Sequence, residues 1–101
     1  MDLVRDFHRG AVRLHVLFHA KSEVVFGAAI AAEIARHGHS VSPGTLYPLL
    51  HDLEASGDLT SETVVVGGHR RRCYRITPQG RRTLDACTAA LRELADEVLE
   101  S

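Results

Sequence analysis

Ser42-Pro43-Gly44-Thr45-Leu46-Tyr47-Pro48-Leu49-Leu50-His51-Asp52-Leu53-Glu54 is the stretch that decides how this chain folds. The hydroxyl of Ser42 can accept a hydrogen bond from a first-turn amide, and Pro43, with φ already near the helical value, suits the first helical position. Leu46, Leu49, Leu50 and Leu53 recur at i, i+3, i+4 and i+7, so they form one apolar stripe, with Thr45, Tyr47, Pro48, His51 and Asp52 off it. A helix over 43–56 follows, one side packing and the other polar. Pro48 removes an amide beyond the first turn and predicts a bent or loosened first half. Gly57 is a plausible C-terminal cap.

Downstream, residues 59–66 are rich in Thr and Val, Gly67-Gly68 supplies a tight turn, and residues 70–76 return with Arg72, Tyr74 and Ile76 on one face. A two-stranded hairpin over 59–76 is expected, its tip carrying Gly68, His69, Arg70, Arg71 and Arg72. Upstream, Val4, Phe7, Ala11, Leu14 and Phe18 share one face of a first helix over 3–20. After a polar break at Lys21-Ser22-Glu23, Phe26, Ile30 and Ile34 predict a second helix over 26–37, capped at Gly38, with a connection from His39 to Val41. Thr77-Pro78 repeats the cap-then-proline signal and starts a last helix over 78–99. Within it Leu84, Cys87, Leu91, Leu94 and Val98 keep strict three-four spacing, a seam that wants a partner helix.

The chain therefore reads as one mainly α domain, three helices, a two-stranded β wing and a terminal helix: a winged helix-turn-helix. With 101 residues its core is modest, which favours a dimer. Val4, Phe7 and Ala11 of the first helix and Leu84, Cys87, Leu91, Leu94 and Val98 of the last are the expected dimerisation residues. Packing of the last seam on the chain's own first helix is the other reading. The formal net charge of -1 hides a separation along the chain. His69, Arg70, Arg71, Arg72, Arg75, Arg81 and Arg82 crowd one span, and Asp85, Glu93, Asp96, Glu97 and Glu100 load the end. The longest apolar run, residues 24–32, is far short of the ~18 residues of a membrane span. No secretory pattern opens the chain, so the cytoplasm is the expected compartment. Cys73 and Cys87, without metal-like or redox-like spacing, read as reduced packing residues.

The motif quoted first, with Gly57 and Cys73-Tyr74-Arg75-Ile76-Thr77-Pro78-Gln79-Gly80-Arg81, closely resembles the PadR-type transcriptional regulators, in the short class with a single C-terminal helix. The second helix opens Val25-Phe26-Gly27-Ala28 where that family commonly has a His-Gly-Tyr-like start. The resemblance implies a homodimeric repressor that binds a roughly palindromic operator and releases it to an effector. Ser42, Pro43, Gly44, Thr45, Tyr47 and Pro48 match the family's recognition-helix motif, and residues 67–72 its wing tip.

The chemistry of the residues points the same way. A helix fits the major groove of B-DNA, where the hydroxyls of Thr45 and Tyr47 and the imidazole of His51 can meet base edges or phosphates. The helix start favours an anion, and Gly44 lets a backbone come close. Arginines on the wing can follow a phosphate strand or enter the minor groove. Against this stand plainer readings, in which Tyr47 only covers the scaffold and Arg70 to Arg72 are a solvated loop. A winged-helix protein-interaction module is the alternative from another class.

Seven histidines are the one compositional oddity. His15 and His19 stand at i and i+4, a spacing that lets two imidazoles chelate Zn²⁺ or Cd²⁺, and a metal-responsive repressor is a further alternative. His8 lies two turns from His15, too far to share its ion unaided. Glu33 and His37 form a second i, i+4 pair, with His39 nearby. No cofactor is required. Nucleophile-base pairs, paired carboxylates and Gly-rich phosphate loops cannot be assembled, so the chain is not expected to be an enzyme.

Overall fold

The computed structural model describes residues 2–38 and 41–100. Its elements are α1 (Leu3–Ser22), β1 (Val25–Phe26), α2 (Gly27–Arg36), α3 (Pro43–Ala55), β2 (Leu59–Val66), β3 (His69–Ile76) and α4 (Pro78–Glu100). The expected winged-helix order is present, and the wing hairpin has the expected bounds. The expected connection at His39 and the place of His39 beside the Glu33–His37 pair lie outside the described residues.

The sheet has three strands rather than two, in the order β1-β3-β2, all antiparallel. Val25 pairs with Tyr74 and Phe26 with Cys73, so Phe26, expected to open the second helix, ends a strand instead. That pairing joins residues far apart in sequence and leaves no local periodicity. β2 and β3 pair from Leu59 with Ile76 to Val66 with His69. Gly67 and Gly68 turn the hairpin with φ of 58° and 80°, the left-handed values that match the twist of paired strands.

α1 is two residues longer than expected because the Glu23 amide still reaches the His19 carbonyl at 3.4 Å, carrying the helix through the polar break. Its core-facing side is Val12, Val16, Leu17 and Ala20, all buried. The stripe picked out by periodicity is a different one: Val4, Phe7 and Phe18 are exposed, and Leu14 packs at the core's margin. Spacing reveals an apolar face, but not which neighbour covers it. The four leucines of α3 are buried with Ile30 and Ile34 of α2, Leu59 of β2 and Leu84 of α4. Each such side chain contributes roughly 1.5–3 kcal/mol by leaving water.

One polar knot holds the hairpin and α4 to this core. The Asp58 carboxylate is buried and accepts from Ser56 Oγ at 3.2 Å, Gln79 Nε2 at 3.2 Å and Thr83 Oγ1 at 2.7 Å. Thr77 Oγ1 accepts from the Gly80 amide at 2.9 Å, the cap foreseen for α4. Beyond this knot α4 leaves the domain. Leu91, Leu94, Val98 and Leu99 are exposed, so the outer part of the seam is uncovered in the single chain, while Cys87 still shares a depression with Gly10, Leu14 and Leu17 of α1. Both thiols are free, Cys73 buried and Cys87 exposed.

Candidate DNA interface

α3 has the buried and exposed sides that its sequence predicts. Leu46, Leu49, Leu50 and Leu53 face the core, while Ser42, Pro43, Gly44, Thr45, Tyr47, Pro48 and His51 are all exposed along the opposite edge. The helix runs unbroken through Pro48, so the loosening expected there does not interrupt it. Ser42 also departs from expectation. Its hydroxyl turns to Thr45 Oγ1 at 3.2 Å, and no side chain caps the first turn. The positive end of the helix dipole is therefore left open to an external anion.

Tyr47 does two things at once. Its ring lies against Gly27 at the start of α2, where a Cβ would stand 2.7 Å from Tyr47 Cε1, yet the residue remains 49% exposed. One side of the ring thus covers the scaffold and the other faces solvent. Two cations that sequence reasoning missed lie nearby. Arg5 and Arg9 of α1 line a shallow depression with Gly44, Thr45 and Pro48. They stand at i and i+4 on one helix, but nothing local shows that this stripe would pass the start of α3.

On the wing, His69, Arg70, Arg71 and Arg72 are all exposed. Their surroundings differ. Arg72 reaches back to α3, with its Nη2 3.6 Å from Glu54 Oε1. Ser61 Oγ donates to the other Glu54 oxygen at 2.6 Å. This hydrogen bond, reinforced by the Arg72 guanidinium and opposed by partial burial, holds the Glu54 carboxyl below its ordinary value. Arg75 is likewise 3.5 Å from Glu62. Arg70 and Arg71 have no ion pair among the described residues and stand at the tip as free cations.

Apart from this edge, the rings of His15 and His19 stack on α1 with centroids 4.9 Å apart, and α2 brings His37 to them edge-on, also at 4.9 Å from His15. Sequence spacing kept His37 in a separate pair with Glu33; the crossing of α1 and α2 merges the two pairs.

The sequence and the fold that carries this edge both have relatives among known proteins. The transcriptional regulator PadR-like family matches residues 14–86. The chain belongs to this family. It is 57% identical to "Transcriptional regulator Rv3488" of Mycobacterium tuberculosis over 96 residues, covering 95% of this chain and 90% of that one. A PadR family transcriptional regulator from Eggerthella lenta has a similar structure, with a TM-score of 0.84 and 35% identity over 97% of this chain and 87% of its own. A PadR-like transcription factor from Bacteroides fragilis has a TM-score of 0.83 and 27% identity over 98% of both chains. As a PadR-like protein this chain is a DNA-binding transcriptional regulator and not an enzyme. Among the described residues no helix is long and apolar enough to cross a membrane.

Proposed function

We propose that this PadR-like regulator acts as a homodimeric repressor on a palindromic operator and lets go when an effector binds. The observation that carries the reading is the pairing of an exposed edge, Thr45, Tyr47 and His51, with two unpaired cations at the wing tip, Arg70 and Arg71. The edge suits base contacts in the major groove, and the wing suits phosphates or a minor groove alongside. Ser42, Pro43, Gly44 and Pro48 shape the helix start, where Arg5 and Arg9 can add charge to a phosphate held by the open first turn. Gly68 and His69 set the wing tip. Arg72 contributes less charge to DNA, because Glu54 already neutralises part of it.

The dimer is inferred from apolar surface that one chain cannot cover. Leu91, Leu94 and Val98 on α4 are 48%, 51% and 60% exposed, and Val4 and Phe7 on α1 are 68% and 61% exposed. Such faces in a small domain favour a second copy, with Ala11 and Cys87 beside them, whereas Leu84, expected in the same seam, is buried in the chain's own core and is not available to a partner. Two copies would present their recognition helices about 34 Å apart, one turn of B-DNA.

Gel-shift titration on the DNA upstream of the coding sequence, at several salt concentrations, tests the reading. Arg70→Ala/Arg71→Ala should weaken binding at least tenfold and flatten the salt dependence by about one unit of slope for each phosphate no longer neutralised. Equal affinity and equal slope in wild type and variant would defeat it.

A further inference from the structure

We propose that His15, His19 and His37 form a site for a divalent transition-metal ion of the Zn²⁺ class, with Glu33 as fourth ligand, and that its occupancy changes operator affinity. The second half rests on the DNA-binding reading above; the first does not.

The geometry comes from the crossing of two helices. One ring nitrogen from each of the three histidines lies within 4.8 Å of the others. Glu33 Oε1 is 3.4 Å from His37 Nε2 and 3.8 Å from His19 Nε2. Four donors thus converge from α1 and α2. A tetrahedral ion with bonds of about 2.0–2.1 Å holds its ligand nitrogens roughly 3.3 Å apart, so modest side-chain rotation closes the cage.

An orphaned atom supplies the second observation. His19 Nε2 is shut off from solvent and has no hydrogen-bond partner. A buried polar nitrogen left so costs free energy, and a metal bond would satisfy it. Neutral imidazoles are the form that ligates metal. Three nitrogens and one carboxylate, without a thiolate, suit Zn²⁺ and its neighbours rather than Cu(I), Mg²⁺ or Ca²⁺.

The position suggests what the ion does. His37 lies at the end of α2, from which the chain runs toward Pro43 at the start of α3. His15 and His19 sit on α1, and Phe18, edge-on to His19 at 5.3 Å, is exposed beside the apolar face assigned to the dimer. An ion that draws α1 and α2 together therefore acts between the dimer scaffold and the recognition helix. Any differential affinity for two arrangements of those helices becomes a change in DNA affinity.

Calorimetric titration of the chelator-treated full chain with ZnCl₂, and with MgCl₂ as control, reads the site directly. One saturable Zn²⁺ site per chain is expected and none for Mg²⁺. His15→Ala, His19→Ala and His37→Ala should each weaken it about 100-fold, and Glu33→Gln about tenfold. His37 is exposed, so its variant keeps the fold, and unchanged Zn²⁺ binding in it would overturn the site. DNA anisotropy with the upstream fragment then compares loaded and metal-free protein. A change of about fivefold or more is expected, and equal affinities would overturn the coupling. Lack of DNA binding in both forms would strike the repressor reading and the coupling, while the titration alone decides the metal site.

Discussion

The ring of Tyr47 rests on Gly27 so closely that a Cβ there would stand 2.7 Å from Cε1 and 3.1 Å from the hydroxyl oxygen. A residue of α2 thereby sets the angle at which a residue of the recognition helix projects. Gly27→Ala should push the ring outward, lowering operator affinity about tenfold at a stability cost of about 1–2 kcal/mol. Tyr47→Phe keeps the packing and isolates the hydroxyl. If Gly27→Ala bound the operator as wild type does, the orientation of Tyr47 would have no part in recognition.

Gly80 occupies another close approach. A Cβ at that position would lie 2.1 Å from the Asp58 carbonyl oxygen and 2.8 Å from Ile76 Cγ1. Neither the backbone nor the packed isoleucine can yield cheaply, so Gly80→Ala should destabilise the domain by about 3 kcal/mol. Asp58→Ala, which strips the acceptor from Gln79 and Thr83, should cost about 2–3 kcal/mol. Urea unfolding midpoints measure both, and a Gly80→Ala protein of wild-type stability would show that α4 is not locked against the Asp58 corner.

Leu91 and Leu94 test the dimer without touching the core. Both are about half exposed in the single chain, so Leu91→Glu/Leu94→Glu should leave the helical circular dichroism intact. Sedimentation should then show monomers, and operator binding should weaken by about two orders of magnitude as the half-sites lose their linkage. A variant that still sediments as a dimer would place the interface elsewhere.

Glu54 links stability to pH. Because its carboxyl is held below the ordinary value of 4.5, it stabilises the fold above that value and loses this contribution as pH falls through the depressed one. Glu54→Gln should therefore be less stable than wild type at neutral pH, by about 0.5–1 kcal/mol for so partly exposed a pair, with the gap narrowing in acid. The same change frees Arg72, so DNA binding should strengthen slightly. Thermal melts from neutral to acid pH check the first expectation, and a gap that widens in acid would mean that folding raises the Glu54 pKa instead of lowering it.

Much of this fold is legible in local pattern. The helix start at Pro43, the glycine turn of the wing, the Thr77 cap and the seam of α4 each follow from residues within a few positions of one another. β1 is not legible, because its two residues gain strand character only from Tyr74 and Cys73. Ser42 shows the opposite limit: a residue type that favours capping turns instead to a neighbouring hydroxyl. At the candidate interface, periodicity separates the leucines of α3 from its polar edge, yet it treats Arg70, Arg71 and Arg72 alike. Only the register that sets Arg72 near Glu54 distinguishes a braced cation from two free ones.

By itself, then, the sequence determined the order and kind of the main elements, the polar edge of α3, the charge of the wing and the membership of His15 and His19 on one helical stripe. These are properties of short segments, governed by backbone preference and by the helical and strand repeats. The tertiary structure alone decided that His37 joins those two histidines, that Tyr47 leans on Gly27, and that Arg5 and Arg9 pass the start of α3. Such pairings depend on the angles at which packed helices cross, and those angles are set by the whole core rather than by any one segment.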